Sequence, residues 1–170
     1  MEYGILFIVA ASLITGVLFI IIPNPQNNNK TRAQKELNAL LSQINEIHED
    51  TIQYTSNILL KLRFQTPCPP RHPDSTFNER SQIIKKIHSI KNISHAPDVL
   101  ALEQIENDLI EIFSHKTKLD KKLAPYYKVN EIDTAAYMFV RREVLNKLTI
   151  ISASFITVKK NLHDLIQKYK

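Results

Sequence analysis

Apolar residues recur every three or four positions along most of this chain, which is the spacing of one face of an α-helix. Beyond the first 30 residues the pattern predicts helices over residues 31–63, 77–93, 99–123 and 131–169. The breaks between them contain proline or other turn residues. We therefore expect an all-α domain over residues 31–170, a four-helix bundle whose first and last helices are long.

The last predicted helix carries the most regular apolar pattern. From Tyr137 to Tyr169 apolar side chains follow heptad spacing, interrupted by Arg141. A helix of roughly 58 Å, at ~1.5 Å per residue, buries its face against several shorter helices or another chain. An elongated, partly coiled-coil assembly is thus the alternative to the bundle. We define the heptad seam, a candidate surface for a protein partner or homo-oligomer, as Arg141, Leu148, Ile151, Phe155, Val158 and Leu162.

The chain begins with an apolar run that contains no charge between Gly4 and Ile22. As a helix this run spans roughly 28 Å, close to the thickness of a bilayer core. A cleaved signal peptide is the weaker interpretation, because Glu2 stands where a positive charge is required and no small-residue cleavage site ends the run. We predict a single-pass anchor over residues 1–23, followed by a polar linker over residues 24–30. Ser12 and Gly16 have the spacing that allows two membrane helices to approach closely.

Flanking charges predict the orientation of this anchor. Lys30, Arg32 and Lys35 follow it, whereas only Glu2 and the amino terminus precede it. Basic residues tend to remain on the cytoplasmic side. We expect an inner-membrane protein with its N-terminus outside and its helical domain in the cytoplasm. A periplasmic helical domain, as part of an envelope-spanning apparatus, is the alternative.

Composition excludes several classes of function. The two glycines, Gly4 and Gly16, both lie in the predicted anchor, so the rest of the chain cannot form a P-loop or a dinucleotide-binding loop. With 22 Lys and Arg against 17 Asp and Glu, the net charge is +5. This balance favours an anionic lipid surface or an acidic partner. Basic residues do not alternate with aromatic ones, so we expect no nucleic-acid partner. The single cysteine allows no internal disulfide.

One histidine stands in a suggestive local sequence. The segment EIHEDTIQ, residues 46–53, resembles the dimerisation helix of histidine kinases, in which an acidic residue follows the phosphoacceptor. The resemblance implies that His48 carries a phosphoryl group in a sensor or phosphotransfer bundle. The usual glycine shortly after the histidine is missing, as is an ATP-binding domain. The simpler interpretation is a solvated histidine beside the apolar stripe.

A proline-rich loop interrupts the helices over residues 65–76. Its Pro67, Pro69, Pro70 and Pro73 include the P-x-x-P spacing that aromatic grooves bind in polyproline form. The loop is either a docking segment or a plain connector. Cys68 with the nearby His72 lacks the second ligand pair of a structural zinc site. We expect no metal, no cofactor and no catalytic residues.

These features together predict a non-enzymatic, membrane-anchored helical adaptor or scaffold. It would act through protein contacts as a subunit of a bacterial inner-membrane complex, such as a secretion or division apparatus. The architecture is similar to that of bacterial division regulators with an external N-terminus and cytoplasmic spectrin-like helices, a likeness that does not fix function.

Overall fold

A computed structural model describes residues 25–65, 75–127, 129 and 132–169. Within these ranges the chain forms four α-helices and no strand. They are α1 (Pro25–Phe64), α2 (Ser75–Lys91), α3 (Ala96–Leu123) and α4 (Thr134–Gln167). A short 3₁₀-helix, Ala124–Tyr127, follows α3 directly. The all-α prediction is confirmed, with long first and last helices.

The start of α1 differs from the prediction. The helix begins at Pro25, so most of the predicted polar linker, residues 24–30, forms its first turns. Proline is well tolerated in a first turn, because the N–H that it lacks has no partner inside the helix there. The end of α1 agrees with the prediction. Gln65 adopts a left-handed φ of 55°, and its N–H donates to the Lys61 carbonyl at 2.8 Å.

The caps of α3 and α4 follow different rules. The N-cap of α3 is His95, whose side chain makes no capping hydrogen bond. The Ser94 hydroxyl donates to the Ile90 carbonyl at 2.8 Å. In α4 the Asp133 carboxylate accepts a hydrogen bond from the Ala136 N–H at 2.9 Å. This N–H lies in the first turn, where the helix itself offers no acceptor.

The four helices close into an antiparallel ring. Helix α1 packs against α2 and α4, and α3 packs against the same two helices. Lys91, at the end of α2, pairs with Glu106 in the first half of α3 at 2.5 Å. Tyr169, just after α4, donates to Asp98 at the start of α3 at 2.8 Å. Consecutive helices therefore run in opposite directions, as in an up-and-down four-helix bundle.

One continuous apolar core fills the centre of this ring. Each helix contributes fully buried side chains, for example Leu40 from α1, Ile87 from α2, Leu109 from α3 and Phe155 from α4. Burying one such side chain stabilises the fold by about 1.5–3 kcal/mol. This shared core holds the four amphipathic helices together as one bundle.

None of the helices in the described ranges combines the length and the apolarity needed to cross a membrane. The predicted anchor over residues 1–23, with Gly4, Ser12, Gly16 and Ile22, lies outside those ranges. The predicted docking prolines, Pro67, Pro69, Pro70 and Pro73, lie outside them as well.

Candidate functional site

The heptad seam of α4 faces the centre of the bundle. Ile151, Phe155, Val158 and Leu162 are fully buried, Leu148 is partly buried, and Arg141 is exposed. The chain's own helices therefore occupy most of the surface that the sequence offered to a partner. An apolar stripe can pack either against another chain or against helices of its own chain. In this bundle the chain's own helices cover it.

A second set of apolar side chains lies on another side of α4, in solvent. We define the outer face of α4 as its exposed residues from Met138 to Lys160, of which five are large and apolar. These five, half of the large apolar side chains exposed on the described surface, are Met138 (53% exposed), Phe139 (55%), Leu145 (36%), Ile150 (52%) and Ile156 (59%).

The outer face is basic as well as apolar. Arg141, Arg142 and Lys160 are exposed on it, and no ion pair among the described residues involves either arginine. The carboxylates of α4 are Glu143, which pairs with Lys122 of α3, and Asp164, which follows this face. The outer face consequently presents two arginines without an ion-pair partner among the described residues, and the carboxylate next to it along α4, Asp164, stands one turn beyond Lys160.

A shallow depression lies at the N-terminal end of the outer face. Its walls are formed by Met138, Phe139, Arg141, Arg142, Leu145 and Asn146. Four of these residues stand at positions i, i+3, i+4 and i+7 of one helix. This is the set that forms a hole for a side chain of a facing helix in knobs-into-holes packing.

The sequence contained a signal for the outer face that the heptad pattern masked. Met138, Leu145 and Ile156 follow their own helical spacing, roughly a third of a turn around α4 from Phe155 and Leu162. A helix that is apolar on two sides has more apolar surface than one bundle core can cover.

His48 lies between α1 and α4 and is buried, not solvated as the sequence suggested. Its relative exposure is 7%, and its ring stacks on Phe155 with centroids 4.9 Å apart and an interplanar angle of 27°. Nδ1 lies 2.9 Å from Nζ of Lys159. Because an ammonium can only donate, we assign the ring proton to Nε2, a buried atom with no hydrogen-bond partner in the described part of the chain.

The surroundings of His48 favour its neutral form. Burial lowers the pKa of His48 below its ordinary value, and the nearby Lys159 ammonium lowers it further, whereas Glu49 acts in the opposite direction. A phosphoacceptor needs one nitrogen that a donor can approach. In the closed bundle Lys159 occupies Nδ1 and protein covers Nε2, so His48 is not presented for phosphoryl transfer.

A buried lysine is the other polar group that sequence reasoning missed. Lys116, near the C-terminal end of α3, is fully buried between α2 and α3. Its Nζ lies 3.0 Å from Glu79 and donates to the Thr76 hydroxyl at 2.8 Å. Thr76 in turn donates to Asp120 at 2.6 Å. These contacts fix how α2 sits against α3, since a buried ammonium without partners is costly.

Across the described ranges, no group of three or more His, Cys, Asp or Glu side chains is placed to hold a metal ion. We take the outer face of α4 as the candidate site, because it holds half of the large apolar side chains exposed on the described surface. No protein-family model, curated protein or solved structure matches the chain.

Proposed function

We propose that this chain is a non-enzymatic adaptor that holds a four-helix bundle at a membrane and binds a protein partner there. The observation that carries the proposal is the outer face of α4, where five large apolar side chains and two arginines are exposed together. Exposed apolar side chains that share one face of a folded domain with charged residues are a common feature of protein interaction surfaces.

The membrane part of the proposal rests on the sequence. The uncharged run over residues 4–22 is long enough to span a bilayer, and the basic residues that follow it favour a cytoplasmic bundle. A subunit of a secretion or division apparatus of a bacterial inner membrane would combine these features. Such a subunit needs one surface for the lipid and another for its partner.

The alternative of a phosphotransfer module receives no support from the geometry. Phosphoryl transfer requires an accessible histidine nitrogen, and the nitrogens of His48 face Lys159 and the bundle interior. The same buried ring packs well against Phe155. A structural role in the α1–α4 contact accounts for His48 without any chemistry.

Site-specific photo-crosslinking tests the adaptor function. A photoreactive residue in place of Ile150, on the outer face, should give a discrete cross-link to another polypeptide in the native host. The matched control replaces Ser89, an exposed residue of α2 on another side of the bundle, and should give none.

Two results would contradict the adaptor function. One is the absence of any protein cross-link from the outer face while the bundle remains folded. The other is an identical cross-linking pattern from both positions, which would indicate random collisions and no defined surface.

A further inference from the structure

We infer that the outer face of α4 receives an amphipathic helix with acidic flanks, supplied by another protein. This inference rests on the proposed adaptor function and adds the chemistry of the partner. It joins three observations: the hole formed by one helix, the apolar side chains that continue beyond it, and the uncompensated arginines beside it.

The hole sets the shape of the occupant. Met138, Arg141, Arg142 and Leu145 surround a depression that belongs to α4 alone. In helix–helix packing such a set of four accepts one side chain of the facing helix, most often leucine or isoleucine. An extended peptide could not present side chains at the matching helical spacing.

The outer face continues past this hole for the length of a helix–helix contact. Thr149, Ala153 and Ile156 follow Leu145 along the same line, all of them exposed. From Met138 to Ile156 the distance is roughly 27 Å at ~1.5 Å per residue. Thr149 and Ala153 are small, so a partner helix can approach closely between the larger side chains at the two ends.

The basic residues of the outer face indicate the charge of the partner helix. Arg141 and Arg142 form two walls of the hole and have no ion-pair partner among the described residues, whereas Lys160 at the far end has the exposed Asp164 one turn beyond it. Glutamates or aspartates beside the apolar residues of the partner would pair with these cations, as they do at the flanking positions of coiled coils.

Charge also argues against a second copy of α4 as the occupant. Two copies packed through their outer faces would bring basic side chains together with no carboxylate between them. An anionic lipid surface would also pair with these charges, but it has no regularly spaced side chains that could insert into the hole. These two occupants are therefore distinct outcomes of the test.

The experiment measures binding of two synthetic peptides to the full chain in nanodiscs of neutral lipid. Both peptides are helices of about 21 residues with leucine at the first and fourth positions of each heptad. One has glutamate and the other lysine at the flanking positions. An environment-sensitive dye on Thr157→Cys, at the margin of the outer face, reports binding in a Cys68→Ser background.

The inference predicts that the glutamate peptide binds at least about tenfold more tightly than the lysine peptide. The double variant Arg141→Glu with Arg142→Glu should reverse this preference. Both positions are exposed and glutamate forms helices nearly as well as arginine, so the variant should fold, which its helical circular dichroism checks. The matched control, Lys35→Glu with Lys85→Glu, changes the net charge equally at exposed sites of α1 and α2 and should keep the preference.

Several results would overturn the inference. Equal binding of the two peptides would rule out a preference for an acidic partner. So would a loss of preference in the control variant as large as that in the arginine variant. A dye response to anionic nanodiscs without peptide would assign the outer face to lipid, and a response to rising protein concentration would assign it to a second copy. If Ile150 gives a protein cross-link but the glutamate peptide does not bind preferentially, the adaptor function is supported and only the acidic-helix inference is wrong.

Discussion

At the scale of single residues, two buried polar side chains join neighbouring helices of the bundle. His48 of α1 lies against Phe155 and Lys159 of α4, and Lys116 of α3 lies against Glu79 and Thr76 of α2. Polar groups removed from water are costly unless they are paired, so each contact favours one arrangement of its two helices over others. The sequence alone indicated a solvated His48, because its contacts belong to a helix that is distant along the chain.

The lowered pKa of His48 predicts how stability depends on pH. The folded protein binds a proton at His48 less readily than the unfolded chain, in which the ordinary value of 6.5 applies. The contribution of His48 to stability is therefore complete above pH 6.5. It declines as the pH falls from there toward the lower pKa of the folded state.

Urea denaturation at about pH 7.5 and about pH 5.5 measures this contribution. The substitution His48→Leu should reduce the loss of unfolding free energy between the two conditions. The matched substitution His95→Gln, at an exposed position before α3, should leave that loss as it is in the unchanged protein. Equal pH dependence in all three proteins would show that His48 titrates alike in the folded and unfolded chains.

At the scale of elements, α4 carries apolar side chains on two sides, and the bundle covers only one. Phe155 is fully buried against α1, whereas its neighbour Ile156 is 59% exposed. The heptad spacing predicted the inner side correctly as a packing surface. It did not indicate whether the surface in contact would belong to the same chain or to another one.

Truncation of these two neighbouring residues should separate the two sides of α4. We expect Phe155→Ala to lower the free energy of unfolding by about 3–5 kcal/mol, since it leaves a cavity beside His48. Ile156→Ala should change it by less than about 0.5 kcal/mol, because its side chain is largely in water. Denaturant titration of both variants measures the difference. A small effect of Phe155→Ala would mean that α4 is not held against α1 as the bundle requires.

At the scale of the whole molecule, the antiparallel ring brings the end of α4 beside the start of α3. Tyr169 donates to Asp98, and Lys168 lies 3.7 Å from the same carboxylate. Burial raises the pKa of Tyr169, with the bond to Asp98 acting in the same direction and Ser94 in the opposite one. The four helices thus close into a ring, and the outer face of α4 carries half of the large apolar side chains exposed on the described surface.

The proposed orientation in the membrane predicts the accessibility of Cys68, the single cysteine of the chain. A thiol reagent that cannot cross the inner membrane should label it only after cell lysis, provided that any outer membrane is first made permeable. Labelling after denaturation gives the total and separates a sealed compartment from a protected thiol. Labelling in intact cells would contradict the flanking-charge argument and place the bundle in the periplasm.

The amino-acid sequence was sufficient to predict the helical class, the four helices and most of their ends, because helical periodicity and proline breaks are local properties. It also indicated which side of each helix carries the larger apolar stripe. The packing of the helices against one another fixed three further features: the heptad seam faces inward, His48 and Lys116 are buried, and no described residue covers the outer face of α4. Those outcomes depend on which helices meet across the bundle, as between His48 and Lys159, and periodicity within one helix contains no information about its neighbours.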